Sequence, residues 1–150
     1  MIKNYEKKRS SQFTYFNGYQ KRIKFDNLLP QDKAFVLKNT ARVLKDKPEL
    51  SVHVQNKIDN KELVFHKDLF NEIKNGQYHI MEVSMIKQVK GNTDMRVLLR
   101  SKGFRTNTIL SEHAMEMADQ NMCVVLSISS GNIVTVFNDD VNRKHKNRYK

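Results

Sequence analysis

The apolar residues of this chain change period at Asn75-Gly76, and that change constrains the fold more than any other feature. Before it, apolar positions recur at helical spacing. Leu69, Phe70 and Ile73 make one stripe across residues 66–75, and Gly76 follows where glycine can close a helix in the left-handed conformation. After it the repeat is two. Tyr78, Ile80, Glu82, Ser84 and Ile86 alternate with His79, Met81, Val83, Met85 and Lys87, which predicts a strand with the two sets on opposite faces. A chain that is helical first and extended afterwards is expected to be α+β, with N-terminal helices on one side of a roughly four-stranded antiparallel sheet.

The remaining elements follow from local chemistry. Asn17-Gly18 lies between Phe13/Tyr15 and Ile23/Phe25, a hairpin pattern. Pro30 suits the first turn of a helix over residues 30–46, closed before Pro48, with Lys33, Lys38, Arg42 and Lys45 on its outer face. Residues 50–58 fit a strand or a helix, and a helix is preferred. Gly91 to Asp94 read as a turn into a second strand, Met95 to Ser101. Residues 102–110 read as a loop, and Ser111 as the cap of a short helix over 112–120. The strongest strand signal is Met122 to Ile128, a Ser-Ser-Gly-Asn turn and Ile133 to Phe137, expected as a central hairpin. The expected domain organisation is a basic arm over residues 1–11, one domain over 12–141, and a basic tail over 142–150.

Charge narrows the function. The chain has 27 Lys+Arg against 16 Asp+Glu, a formal +11 in 150 residues. Such a surplus favours a polyanionic partner, so nucleic acid, RNA or DNA, is expected. The cations expected to contact it are Arg96, Arg100, Lys102 and Arg105, with Arg143, Lys144 and Lys146 of the tail. A single cysteine, Cys123, excludes an internal disulfide and fits a reducing, cytoplasmic setting. No apolar run approaches a membrane span and no apolar segment follows the basic N-terminus, so neither membrane nor secretion is expected. Repeated Lys-Asn pairs and the absence of Trp suit an A+T-rich genome, that of a low-G+C bacterium, its phage or a mobile element.

Few residues suggest chemistry. Histidines 53, 66, 79, 113 and 145 show no metal-ligand spacing, and no phosphate-loop motif occurs, so no metal or cofactor is expected. Asp139-Asp140 reads as a tight turn and not as a Mg²⁺ site. Arg96 and Arg100 share one strand face, four residues apart. They belong to Arg96-Val97-Leu98-Leu99-Arg100-Ser101. This stretch, with Cys123 to Asn138 (CVVLSISSGNIVTVFN), resembles the closing strands of the barnase–EndoU–colicin–RelE superfamily of metal-independent ribonucleases. The resemblance spans about residues 50–145. It implies that RNA is cleaved through its own 2′-OH, with Arg96 and Arg100 on the phosphate, Thr135 and Asn138 as polar site residues, and His145 as acid or base. The chain departs from that pattern between Lys102 and Asn121, and its first 45 residues have no counterpart in it.

Three functions are therefore expected in order: a basic accessory protein that binds nucleic acid, a ribonuclease or toxin-like enzyme, and an inhibitor of an acidic host protein. All rest on cations gathering on one surface.

Overall fold

In the computed structural model, which describes residues 20–87, 93–110 and 115–142, the period change at Gly76 separates three helices from most of a six-stranded antiparallel sheet. The helices are α1 (Pro30–Lys45), α2 (Val52–Asp59) and α3 (Lys67–Lys74). The strands are β1 (Gln20–Lys24), β2 (Tyr78–Lys87), β3 (Thr93–Ser101), β4 (Arg105–Leu110), β5 (Met115–Ser127) and β6 (Ile133–Asp140). The α+β class is as expected, but the sheet has six strands, not four.

Each helix begins and ends for a local reason. Pro30 opens α1 and Asp32 sits in its first turn. Past its C-terminal end, Lys47 takes a positive φ of 56° and Pro48 follows. The buried stripe is Val36, Thr40, Val43 and Leu44, which leaves Leu37 49% exposed. Ser51 caps α2 by accepting from Val54 N at 3.2 Å, and donates to Val134 O at 3.2 Å. One hydroxyl thus starts a helix and ties it to β6. Leu69, Phe70 and Ile73 bury the inner face of α3, and Gly76 closes it at φ 95°. Each such fully buried side chain contributes roughly 1.5–3 kcal/mol.

The strand order is β1-β2-β3-β5-β4, with β6 on the other edge of β5. Gln120 faces both Arg105 of β4 and Asp140 of β6, and Cys123 faces both Arg100 of β3 and Phe137 of β6. So β3 and β4 follow one another along a single edge of β5, with the break at Lys102–Phe104 between them. The residues expected as a loop, 105–110, and as a helix, 115–120, are instead the two arms of a β-ribbon. Alanine, methionine and glutamate favour a helix there, but strand pairing outweighs the local preference. Ser111, Glu112 and His113 lie outside the described residues, as do the Asn17-Gly18 hairpin, the N-terminal arm and Gly91-Asn92. Asp139 and Asp140 end β6 instead of forming a turn. Phe25 opens a 3-10 turn, Phe25–Asn27, and β1 pairs with β2.

The simple alternation expected for β2 fails at one residue. A bulge at Met81 shifts the register between Ile80 and Glu82. Tyr78 and Ile80 before it, and Val83 and Met85 after it, all face the helices, while Glu82 and Ser84 turn to the opposite face. A bulge inserts one unpaired residue and so reverses every side chain beyond it. The core lies between the helices and Val83, Met85, Met95, Val97, Leu99, Met122, Val124, Leu126, Ile133 and Val136.

Candidate nucleic-acid interface

The opposite face of the sheet carries the arginines singled out from the sequence. Pairing puts Arg96 and Arg100 on it together with Thr135. Asn138 is not with them. It pairs with Met122, a core residue, and its Nδ2 donates to Val64 O at 2.9 Å on the helix side.

These arginines are engaged internally. Arg96 Nε donates to Asp94 Oδ2 at 2.9 Å. Arg100, only 8% exposed, donates from Nε to Asn121 Oδ1 at 2.8 Å and lies 3.8 Å from Asp139 Oδ2. It also donates to the carbonyl of Asp140. Arg22 binds Glu82 at 2.7 Å on the same face. At the ribbon base, Arg105 pairs with Asp68 and lies 3.9 Å from Glu72. That guanidinium holds the Asp68 carboxyl below the usual carboxylate value. Lys102 is exposed at the strand break. Arg143, Lys144, His145 and Lys146 lie outside the described residues.

Among the described residues, the arginines on the sheet face are therefore each set beside a carboxylate. Across the described residues 17 Lys+Arg face 14 Asp+Glu, so the body is close to balance. Residues 143–150 hold five Lys+Arg and no acid, and residues 1–19 hold four against Glu6. Within the body, one surface stands out. The outer face of α1 exposes Lys38, Arg42 and Lys45, and Lys47 continues past its end. Spacings of four and three residues put Lys38, Arg42 and Lys45 on one side of the helix. The acid within α1, Asp32, is buried. Among the described residues no ion pair neutralises these four cations. Asn39 orients one of them: its Nδ2 donates to Phe35 O at 2.8 Å, and its Oδ1 accepts from Arg42 Nη2 at 3.2 Å.

The end of α1 meets the turn between β5 and β6. A cavity of about 330 Å³ lies between them, lined by Arg42, Asp46, Lys47 and Glu49 on one side and Ser129, Ser130 and Asn132 on the other. A second, of about 250 Å³, lies beyond the turn, lined by Asp94, Arg96, Ser127, Ser129, Ser130 and Val134. Ser129 and Ser130 line both. Arg96 lines the second cavity only, beside its partner Asp94, and Arg100 and Arg105 line neither.

The turn is built by Ser127. Its Oγ donates to Asp94 Oδ1 at 2.7 Å and accepts from Ser130 N at 3.1 Å. Its carbonyl accepts from Gly131 N at 2.9 Å. Gly131, at φ 76°, supplies the left-handed residue that the reversal needs. Arg96, Asp94, Ser127 and Ser130 therefore form one hydrogen-bonded chain. Asp94, expected in the turn before the strand, lies within β3, and that two-residue extension is what sets it beside Arg96 on one face. The cavity at the end of α1 had no sign in the sequence, because it joins segments some 85 residues apart.

No three His, Cys, Asp or Glu converge to hold a metal among the described residues. His53 and His79 are exposed; His66 lies 2.9 Å from Asn107 Oδ1. Cys123 is buried. No helix among the described residues is long and apolar enough to cross a membrane.

No family model, curated protein or solved structure matches the chain. The likeness to the ribonuclease superfamily rests on its strand residues alone.

Proposed function

We propose that the protein is a basic accessory factor that binds nucleic acid along the outer face of α1 and across the Ser129–Asn132 turn. The observation carrying this reading is the line Lys38, Arg42, Lys45 and Lys47, exposed and without carboxylate partners among the described residues. Cations at this spacing contact successive phosphates and make binding salt-dependent. Where the line ends, the exposed Ser130 hydroxyl accepts from Asn132 N and can donate outward, and Arg96, paired with Asp94, lines the cavity beyond the turn. The basic C-terminal residues supply further charge to the same strand.

Binding is favoured over catalysis because of what surrounds Arg100. It is buried and held by Asn121, the Asp140 carbonyl and Asp139, so its role is structural. A ribonuclease needs donors aimed at the reacting phosphate.

Fluorescence anisotropy with a labelled oligonucleotide tests the proposal. A Lys38→Glu/Arg42→Glu/Lys45→Glu variant should bind at least tenfold more weakly, while Arg105→Gln should bind as the wild type does. Equal loss in both would overturn the assignment to α1. Cleavage of labelled RNA in EDTA, abolished by a folded Arg96→Gln variant, would favour the enzyme.

A further inference from the structure

We infer that the cavity at the end of α1 receives one unstacked nucleobase of the bound strand and prefers bases with an exocyclic amine. The inference rests on the nucleic-acid reading above and adds the nucleotide chemistry of that surface.

The size and floor suit a single planar group. About 330 Å³ is at the small end of the roughly 300–1,000 Å³ range of ligand pockets. The lining includes Val43 and Ile128, both buried core residues, which show only a small apolar patch between the exposed polar walls. Gly131 also lines the cavity, and a Cβ there would come within 3.9 Å of Val43 Cγ1.

The polar walls are rich in acceptors. Asp46 and Glu49 both line the cavity, and among the described residues no cation pairs with either carboxylate. The C-terminal end of α1 adds the partial negative charge of its last carbonyls. Arg42 and Lys47 balance the two carboxylates in formal charge, so the cavity itself offers a phosphate no net attraction. An amine is attracted, and carboxylates accept hydrogen bonds from the N4 amine of cytosine. Arg42 and Lys47, on the same walls, are placed to hold the phosphates on either side. Thymine and uracil carry a carbonyl where cytosine carries its amine, so they would present an acceptor to acceptors.

Reading a base in this way requires it to be out of its stack, which favours a single strand over a duplex.

The test compares dC and dT oligomers of equal length by anisotropy at one salt concentration. The wild-type protein should bind dC about tenfold more tightly. Asp46→Asn/Glu49→Gln exchanges two acceptors for amides that also donate. This variant should lose the preference while its dT affinity stays level or rises, since two negative charges are gone. Both side chains are exposed, and circular dichroism checks that the fold is kept. Equal wild-type affinity for dC and dT would overturn this inference and leave the nucleic-acid reading standing. A preference that survives the double variant would also overturn it. Absence of binding to either oligomer would overturn both.

Discussion

Asn121 closes the break between β3 and β4 with a single carboxamide. Its Oδ1 accepts from Arg100 Nε at 2.8 Å, and its Nδ2 donates to the carbonyls of Ser101 at 3.1 Å and Gly103 at 2.9 Å. Ser101 Oγ completes the arrangement by donating to Gly103 O and accepting from Met122 N. Asn121→Ala leaves a buried guanidinium short of one acceptor and removes the donor to two carbonyls. The expected cost is about 3 kcal/mol, read as a lower urea midpoint with unchanged slope. Asn121→Asp keeps the acceptor and loses the donor, so it should fall between the two. A different residue-scale prediction concerns Asp68. Its carboxyl is held below the ordinary value chiefly by the hydrogen bond from Arg105. The folded protein therefore takes up that proton less readily than the unfolded chain. The link is fully present above the ordinary carboxylate value and is lost as pH falls through the lowered one. Carboxyl NMR should show Asp68 titrating below a free aspartate, and Arg105→Gln should return its midpoint to the ordinary range.

The ribbon of β4 and the first half of β5 extends past the strands that flank the second half of β5. One face exposes Met115 and Met117, at 71% and 66%, with Thr108 across from Met117 and Thr106 across from Asp119. The other is tied back by Asn107, which meets His66 and donates to Gln120 Oε1 at 2.9 Å, and by Arg105 on α3. Because the Asn107 amide donates to Gln120, its oxygen faces His66, whose Nε2 is therefore the donor. Amides of residues 115–120 should exchange with deuterium faster than those of 122–126, which lie between β3 and β6. Arg105→Gln should speed the first group and leave the second unchanged; equal protection in both would mean that the ribbon opens only with the core. Elements with chemical punctuation were legible in the sequence: Pro30 and Pro48 around α1, Gly76 after α3, and the β-branched runs around the Ser129–Asn132 turn. The ribbon was not, since its composition favours a helix and only pairing makes it a strand. The Met81 bulge was not legible either, because a one-residue shift in phase leaves no local mark. Of the cations expected on the outer face of α1, Lys38, Arg42 and Lys45 could be read from spacing, whereas Lys33 is half-buried, with its Nζ 5.9 Å from the Phe25 ring centroid. The partners of Arg100 could not, because Asn121 and Asp139 reach it only through strand register.

At the scale of the whole molecule, the formal +11 is a property of the ends more than of the body. The described residues carry a surplus of three, and residues 143–150 alone carry five. Under the proposed nucleic-acid reading, two contributions to polyanion binding then differ in kind. The α1 line is fixed in geometry by a folded helix, so its contacts set where a strand lies. Residues 143–150 add five positive charges. Salt dependence separates them, because each neutralised phosphate of a single strand contributes about 0.7 to the slope of log K against log salt. Removing residues 143–150 should flatten that slope by up to about 3.5 while leaving any base preference intact. Neutralising Lys38, Arg42 and Lys45 with glutamine should flatten it by about 2 and lower dC and dT affinity together, since Arg42 is assigned to the phosphates and the preference to Asp46 and Glu49. The two losses should add if one strand touches both surfaces at once. A slope unchanged after both alterations would place the phosphate contacts elsewhere, on cations belonging to neither α1 nor residues 143–150.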